Sequence, residues 1–286
     1  VPELPQLLEK LTLAVAQLDA LRAAGVLRDH AALAHIEDDT AVQGPALVVR
    51  DDVWVTGRAL RSFLANTANR TQPARLCLPA SRLLELTLPL QDVPVDAESR
   101  AGFDVAVVPA GITTTARALF SLPGEAWVAP SYRERALEVP LPRYILGSAA
   151  PVLAWPLTST IAMRIRHWLH VLRAGHFAPQ VALLDRASAS MVTTALRCLP
   201  ALRASRAATL RALPRRLVFR GRNVVVHPTA TVEACVLGHD VSVGAYAYLR
   251  NSVLGDGCVI EQRAHVNGCA LGPRTFVSLN SSLSAC

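Results

Sequence analysis

The sequence predicts two domains: an α/β domain with a mostly parallel sheet, then an all-β prism of stacked short parallel strands. Three observations predict it. Strand-like apolar runs alternate with helical runs over residues 1–200, and a seventeen-residue repeat runs from Val232 to Cys286. A hydrophobic content of 51% over 286 residues is enough for two cores. Residues 201–222 then read as a basic connector, and 223–286 as the prism.

The repeat is the most specific signal. VEACVLGHDVSVGAYAY, LRNSVLGDGCVIEQRAH and VNGCALGPRTFVSLNSS align at a period of seventeen, split five, six and six. Their leading positions are Val232, Leu237, Val243, Leu249, Leu254, Ile260, Val266, Leu271, Val277 and Leu283, all branched aliphatics. Two residues earlier stand small or β-branched residues such as Val241, Ala247, Cys258 and Ala264. Positions two apart on a strand face the same side, so each strand sends one aliphatic and one small residue inward. Gly, Asp, Asn and Pro turn the corners, and three strands complete a coil. A coil cannot bury its own apolar face, so coils must stack.

The same register sorts the cysteines. Cys235, Ser252, Cys269 and Cys286 fall in one column, with rungs about 4.8 Å apart. Parallel Cβ vectors suit a disulfide poorly, so free thiols are expected. The last coil presents an open sheet edge, which further sequence or another element is expected to cap.

In the preceding part, LLEKLTLAVAQLDALRAAGVL has helical spacing and ends at Gly25. ALVVRDDVWVT is a strand-rich run broken by two acids, and the helical GRALRSFLANTA follows it. FDVAVVPAGITTTARALF repeats the theme. A strand, an acidic tip and a helix make the usual place for a site in an open α/β sheet.

Composition excludes several classes. The net charge of +7 and pI near 9.5 would suit nucleic acid, but aromatics are only 5% and do not interleave with arginine, so no nucleic-acid partner is expected. The charge excess gathers in RASRAATLRALPRRLVFRGR, whose arginines either hold an anionic surface or solvate a connecting helix. Lys10 is the single lysine, so the usual lysine-based phosphate contacts are almost unavailable to any enzyme chemistry. The six cysteines form no CxxC pair and no signal peptide is expected, so the expected compartment is a reducing cytoplasm. YILGSAAPVLAWPLTSTIAM is uncharged and long enough to span a bilayer, but its Gly147, Pro151 and Pro156 make it buried strand and loop rather than a membrane span.

From about Val226 onward the repeat resembles the left-handed parallel β-helix of hexapeptide-repeat proteins. ALVVRDDVWVTGRALRSFL resembles the strand of sugar-phosphate nucleotidyltransferases (NDP-sugar pyrophosphorylases) that ends in a Gly-Asp pair. Asp51 takes the Gly place and Asp52 the metal-binding Asp place. IRHWLHVLRAGHF resembles the helix by which those enzymes leave their catalytic domain. The order of parts is that of bacterial and archaeal members with a hexapeptide tail, including the bifunctional nucleotidyltransferase/acyltransferases.

The resemblance implies a bacterial-type sugar-1-phosphate nucleotidyltransferase of nucleotide-sugar metabolism, with a sugar phosphate and a nucleotide as partners. It implies Mg²⁺ at Asp52, substrate contacts at Asp51 and Gly111, and a homo-oligomer built through the β-helix. The sequence departs from the family in three places. The loop GGxGTRLxPxTxxxPK has no counterpart, the catalytic lysines are missing, and Trp155, Pro156 and Leu157 stand where a second metal-binding Asp follows an aromatic.

Two other readings stand beside it. One is an acyltransferase using acetyl-CoA or an acyl carrier, with His265, among the tail histidines His227, His239 and His265, as general base between subunits. The other is a non-catalytic assembly protein. His167, Trp168 and His170 read as a helix face packed on the sheet, without the carboxylate partner a metal site would need.

Overall fold

The computed structural model describes residues 37–140, 152–189 and 217–286, together with 194, 195 and 215. It divides into two units, Val1–His170 and Val171–Cys286. The helix expected before Gly25 and most of the basic connector lie outside the described residues.

In the first unit the strands are β1 (Ala41–Gln43), β2 (Ala46–Val49), β3 (Val53–Val55), β4 (Ala74–Leu78), β5 (Ala101–Val108), β6 (Thr113–Thr115), β7 (Trp127–Val128), β8 (Arg135–Pro140), β9 (Val152–Leu157) and β10 (Ala162–Arg164). Helices α1 (Gly57–Thr67), α2 (Arg82–Thr87) and α3 (Ala116–Phe120) lie between them. The main sheet has the order β2-β5-β4-β7. Its centre, β5, runs antiparallel to both neighbours, and only β4 and β7 are parallel.

The sheet is therefore mixed, not the mostly parallel one that the alternation of runs predicts. Two local outcomes explain the difference. The run ALVVRDDVWVT folds as two strands, β2 and β3, around a turn that holds both acids, and not as one strand feeding a helix. After β5 comes another strand and the five-residue α3, whereas a parallel crossover needs a dozen residues or more. β5 is buried at seven of its eight positions, and in composition such a strand reads like a buried parallel one.

Helix α1 forms where expected and buries Ala59, Leu60, Phe63 and Thr67, one stripe of the helix. Its first turn is anchored by Thr56, whose hydroxyl donates to the Ser159 carbonyl at 2.8 Å and accepts the Ile161 N–H at 3.1 Å. The uncharged stretch around Trp155 is strand and loop in its described part, β9 and β10, as expected. Among the described residues no helix is long and apolar enough to cross a membrane.

The second unit contains helix α4 (Trp168–Ala189), which begins at the end of the first, and a parallel β-solenoid. The solenoid strands run from β11 (Phe219–Arg220) to β22 (Ser282–Ser284) and form three four-stranded sheets. Every pairing is parallel and displaced by one repeat, Val236 to Val253 and then to Ala270. The first strand, at Phe219, falls within the segment read as connector. All ten leading aliphatics lie in the interior cluster or pack against it, with Leu249 and Val266 fully buried.

Two further columns keep the coils in register. Gly221, Gly238, Gly255 and Gly272 stack one per coil, and a Cβ at Gly255 would lie 2.6 Å from the Pro273 nitrogen of the next coil. Backbone meets backbone there. At the following corner Asn223, Asp240, Gly257 and Arg274 all have positive φ, between 54° and 70°. Asn, Asp and Gly adopt that region at low cost, and at Arg274 an N–H bond of 2.7 Å to the Asp256 carbonyl holds it there. Cys235, Ser252 and Cys269 fill their column inside the solenoid, and the thiols are free. A Cβ on Gly175 of α4 would lie 3.9 Å from the carbonyl carbon of Cys286, so this helix reaches the edge of the last coil.

Candidate functional site

Five charged residues of the first unit converge on one place. Arg50 follows directly on β2, Arg75 lies on β4, Asp104 on β5, Arg164 on β10, and Asp52 in the turn between β2 and β3. Four strands, remote in sequence, bring them together.

Asp104 is buried, its side chain 6% exposed. It accepts from Arg75 at 2.6 Å and from Arg50 at 3.1 Å, with Arg164 at 3.7 Å. Asp52 accepts from the Nε–H of Arg164 at 2.8 Å and from that of Arg166 at 2.9 Å, both on Oδ2. Its Oδ1 is buried without a hydrogen bond among the described residues, with Arg50 Nε at 3.8 Å. Arg75 is fixed further by the carbonyls of Phe103, Gly102 and Phe120, with its guanidinium 5.6 Å from the Trp127 ring centre. Burial pulls the Arg75 guanidinium below its ordinary range while Asp104 opposes the shift. The hydrogen bond to Asp52 raises Arg166.

Beside these pairs is a cavity of about 300 Å³. It is lined by Arg50, Arg75, Arg117 and Arg164, by Asp38, Asp92 and Asp104, and by Pro94, Phe120 and Ser121. Four guanidiniums, Arg50, Arg75, Arg164 and Arg166, face the buried Asp104 and the partly exposed Asp52, an excess of two positive charges at the inner wall. Exposed acids at the rim offset it loosely: Asp38 is 3.9 Å from Arg50 and Asp92 is 3.7 Å from Arg166. A planar guanidinium offers two parallel donors to phosphate or carboxylate oxygens, so the cavity suits an anion.

The donor set does not suit Mg²⁺. Among the described residues no three His, Cys, Asp or Glu side chains gather at one point. Asp52 is flanked by three guanidiniums, and a dication placed on it would be repelled by each of them.

The expected site residues separate. Asp52 is part of the cluster. Asp51 lies exposed at the tip of the same turn. Gly111, with φ of 80°, is the third residue of the tight turn from Pro109 to Ile112, which needs a left-handed residue there. A Cβ on it would meet nothing within 4 Å, and it does not line the cavity. His265 is exposed on β19 (His265–Asn267), its ring 5.0 Å from that of Tyr248. His239 is a corner residue whose Nδ1 accepts the Arg222 N–H at 2.8 Å. His227 bonds Thr229 at its own corner. The helix face expected from His167, Trp168 and His170 does not form: His170 is fully buried, but Trp168 is 62% exposed and His167 is exposed too. Residue 167 precedes the helix, and a half turn separates 168 from 170.

Sequence reasoning missed Arg50, Arg75, Asp104 and Arg164. A signal existed in ARLCL, FDVAVV and IAMRI, where one charge interrupts an apolar strand, because charges buried on strands are paired. No protein-family model matches the chain, and no curated protein matches it in sequence.

Proposed function

We propose that the first unit binds a sugar phosphate or nucleotide in the arginine-lined cavity. The chain would act as a nucleotidyltransferase-like protein of nucleotide-sugar metabolism, carried on a left-handed solenoid through which copies assemble. The observation that supports this is the convergence of Arg50, Arg75, Arg164 and Arg117 on one cavity, whose one buried carboxylate, Asp104, is already bonded to Arg50 and Arg75. Arg50 and Arg164 present N–H groups to phosphate oxygens, and Arg75 with Asp104 holds them in place. Phe120, 5.8 Å beneath the Arg50 guanidinium, offers an apolar wall to a ring.

Calorimetric titration of the full chain with sugar 1-phosphates, nucleoside triphosphates and unphosphorylated sugars tests the reading. It predicts saturable binding of a phosphorylated compound and none of its unphosphorylated counterpart. Silence across the panel ends it. Pyrophosphate release in the same mixtures separates a working transferase from a binding protein, and light scattering gives the expected oligomer.

A second reading, acyl transfer from acetyl-CoA or an acyl carrier, draws on His265, an exposed imidazole on an outer sheet face beside Tyr248. Thiol release with an amino sugar, lost in His265→Ala, is its test.

A further inference from the structure

We infer that the cavity binds its phosphorylated ligand without a divalent cation, the Arg164 guanidinium occupying the place on Asp52 that a metal ion would take. The inference rests on the anion-binding reading above and adds the means by which the charge is met.

Phosphate oxygens need positive charge beside them. A metal site supplies it by gathering carboxylates that have no other cation. Here the reverse is built. The Oδ2 of Asp52 already accepts two Nε–H groups at 2.8 and 2.9 Å, and its Oδ1 faces Arg50. The Arg164 side chain is only 10% exposed and is further fixed by an N–H bond of 2.7 Å to the Asp92 carbonyl. Its position is set by the fold, and a metal ion would have to displace it into a neighbourhood occupied by Arg50 and Arg75. Asp104, the other carboxylate at hand, bonds both of those arginines. The positive charge is thus covalently part of the chain.

The reading makes an unusual demand of Asp52. As a metal ligand it would be required for binding. As an arginine partner it competes with the ligand, so removing its charge strengthens binding.

The probes are glucose 1-phosphate and inorganic phosphate, titrated by calorimetry into the full chain in EDTA and again with Mg²⁺, with Mn²⁺ uptake followed by electron paramagnetic resonance. The expected results are equal affinities in both buffers, a free Mn²⁺ signal undiminished by the protein, and binding roughly threefold or more tighter in Asp52→Asn. Should Asp52→Asn not fold, Asp38→Asn at the exposed rim serves, with affinity rising roughly two- to fivefold at low salt. Binding that appears only with Mg²⁺, or stoichiometric Mn²⁺ uptake, overturns the inference and leaves the binding site standing. Affinity that falls in Asp52→Asn or Asp38→Asn also overturns it. No binding in either buffer removes the anion site itself, and the inference with it.

Discussion

Arg164 donates its Nε–H to Asp52 Oδ2 at 2.8 Å, joining β10 to a turn 112 residues earlier in the chain. The pair closes the ladder in which Arg164 lies opposite Val53 on β3. It fixes Arg164 in the cavity wall and ties the buried strand β10 to the turn before β3.

Breaking the buried network from its centre should unfold the first unit. Asp104→Ala leaves Arg75, 4% exposed, without its carboxylate, a change that costs about 3–5 kcal/mol. Urea denaturation followed by circular dichroism is expected to show that loss. Arg117→Gln, which removes an exposed pair with Asp39 at 2.7 Å, is the control and should leave the midpoint nearly unchanged.

The solenoid should respond by column. Leu249→Ala empties a fully buried inward position and should cost about 2–5 kcal/mol. Phe276→Ser, at a side chain 63% exposed, should change stability by less than about 0.5 kcal/mol. Equal losses from the two would contradict an interior built on the repeat.

Gly255→Ala should be as damaging as a core deletion, although Ala is ordinarily the better-tolerated residue. Its Cβ would lie 2.6 Å from the Pro273 nitrogen, and neither backbone can move without parting the coils. Gly272→Ala, where a Cβ meets nothing within 4 Å, should be tolerated. Thermal unfolding of the two variants checks the contrast.

Alkaline pH should weaken the fold through its thiols. Burial pushes Cys77 and Cys235 up to about 11 from an ordinary 9.0. A folded-state pKa above the unfolded one means the stabilisation is complete below about 9 and is lost as pH rises toward about 11. Each thiol contributes on the order of 2 kcal/mol to that slope. Urea midpoints between pH 8 and 10.5 should fall in the wild type and fall less in Cys77→Ala and Cys235→Ala.

The two units differ in how far their sequences disclosed them. In the solenoid each side chain's fate depends on its place in one local period, so Val243, Leu249 and Ile260 announced an interior before any tertiary contact was known. The glycine column from Gly221 to Gly272 obeys the same period and was equally open to reading. The first unit depends on pairings between distant strands. FDVAVV specifies a buried strand but not its direction, and nothing local in IAMRI tells Arg164 that it will meet Asp52. The acidic turn singled out Asp52, as a metal ligand, and its arginine partners were not legible, because arginines scattered over more than a hundred positions share no motif.

The central claim, that the first unit holds an anion between its arginines, is tested most directly by ³¹P nuclear magnetic resonance of glucose 1-phosphate with rising amounts of the full chain. The account predicts a saturable shift or broadening of the phosphorus line, weakened in Arg117→Gln and further in Arg50→Gln. A line that stays sharp and unmoved with the protein in excess would contradict it.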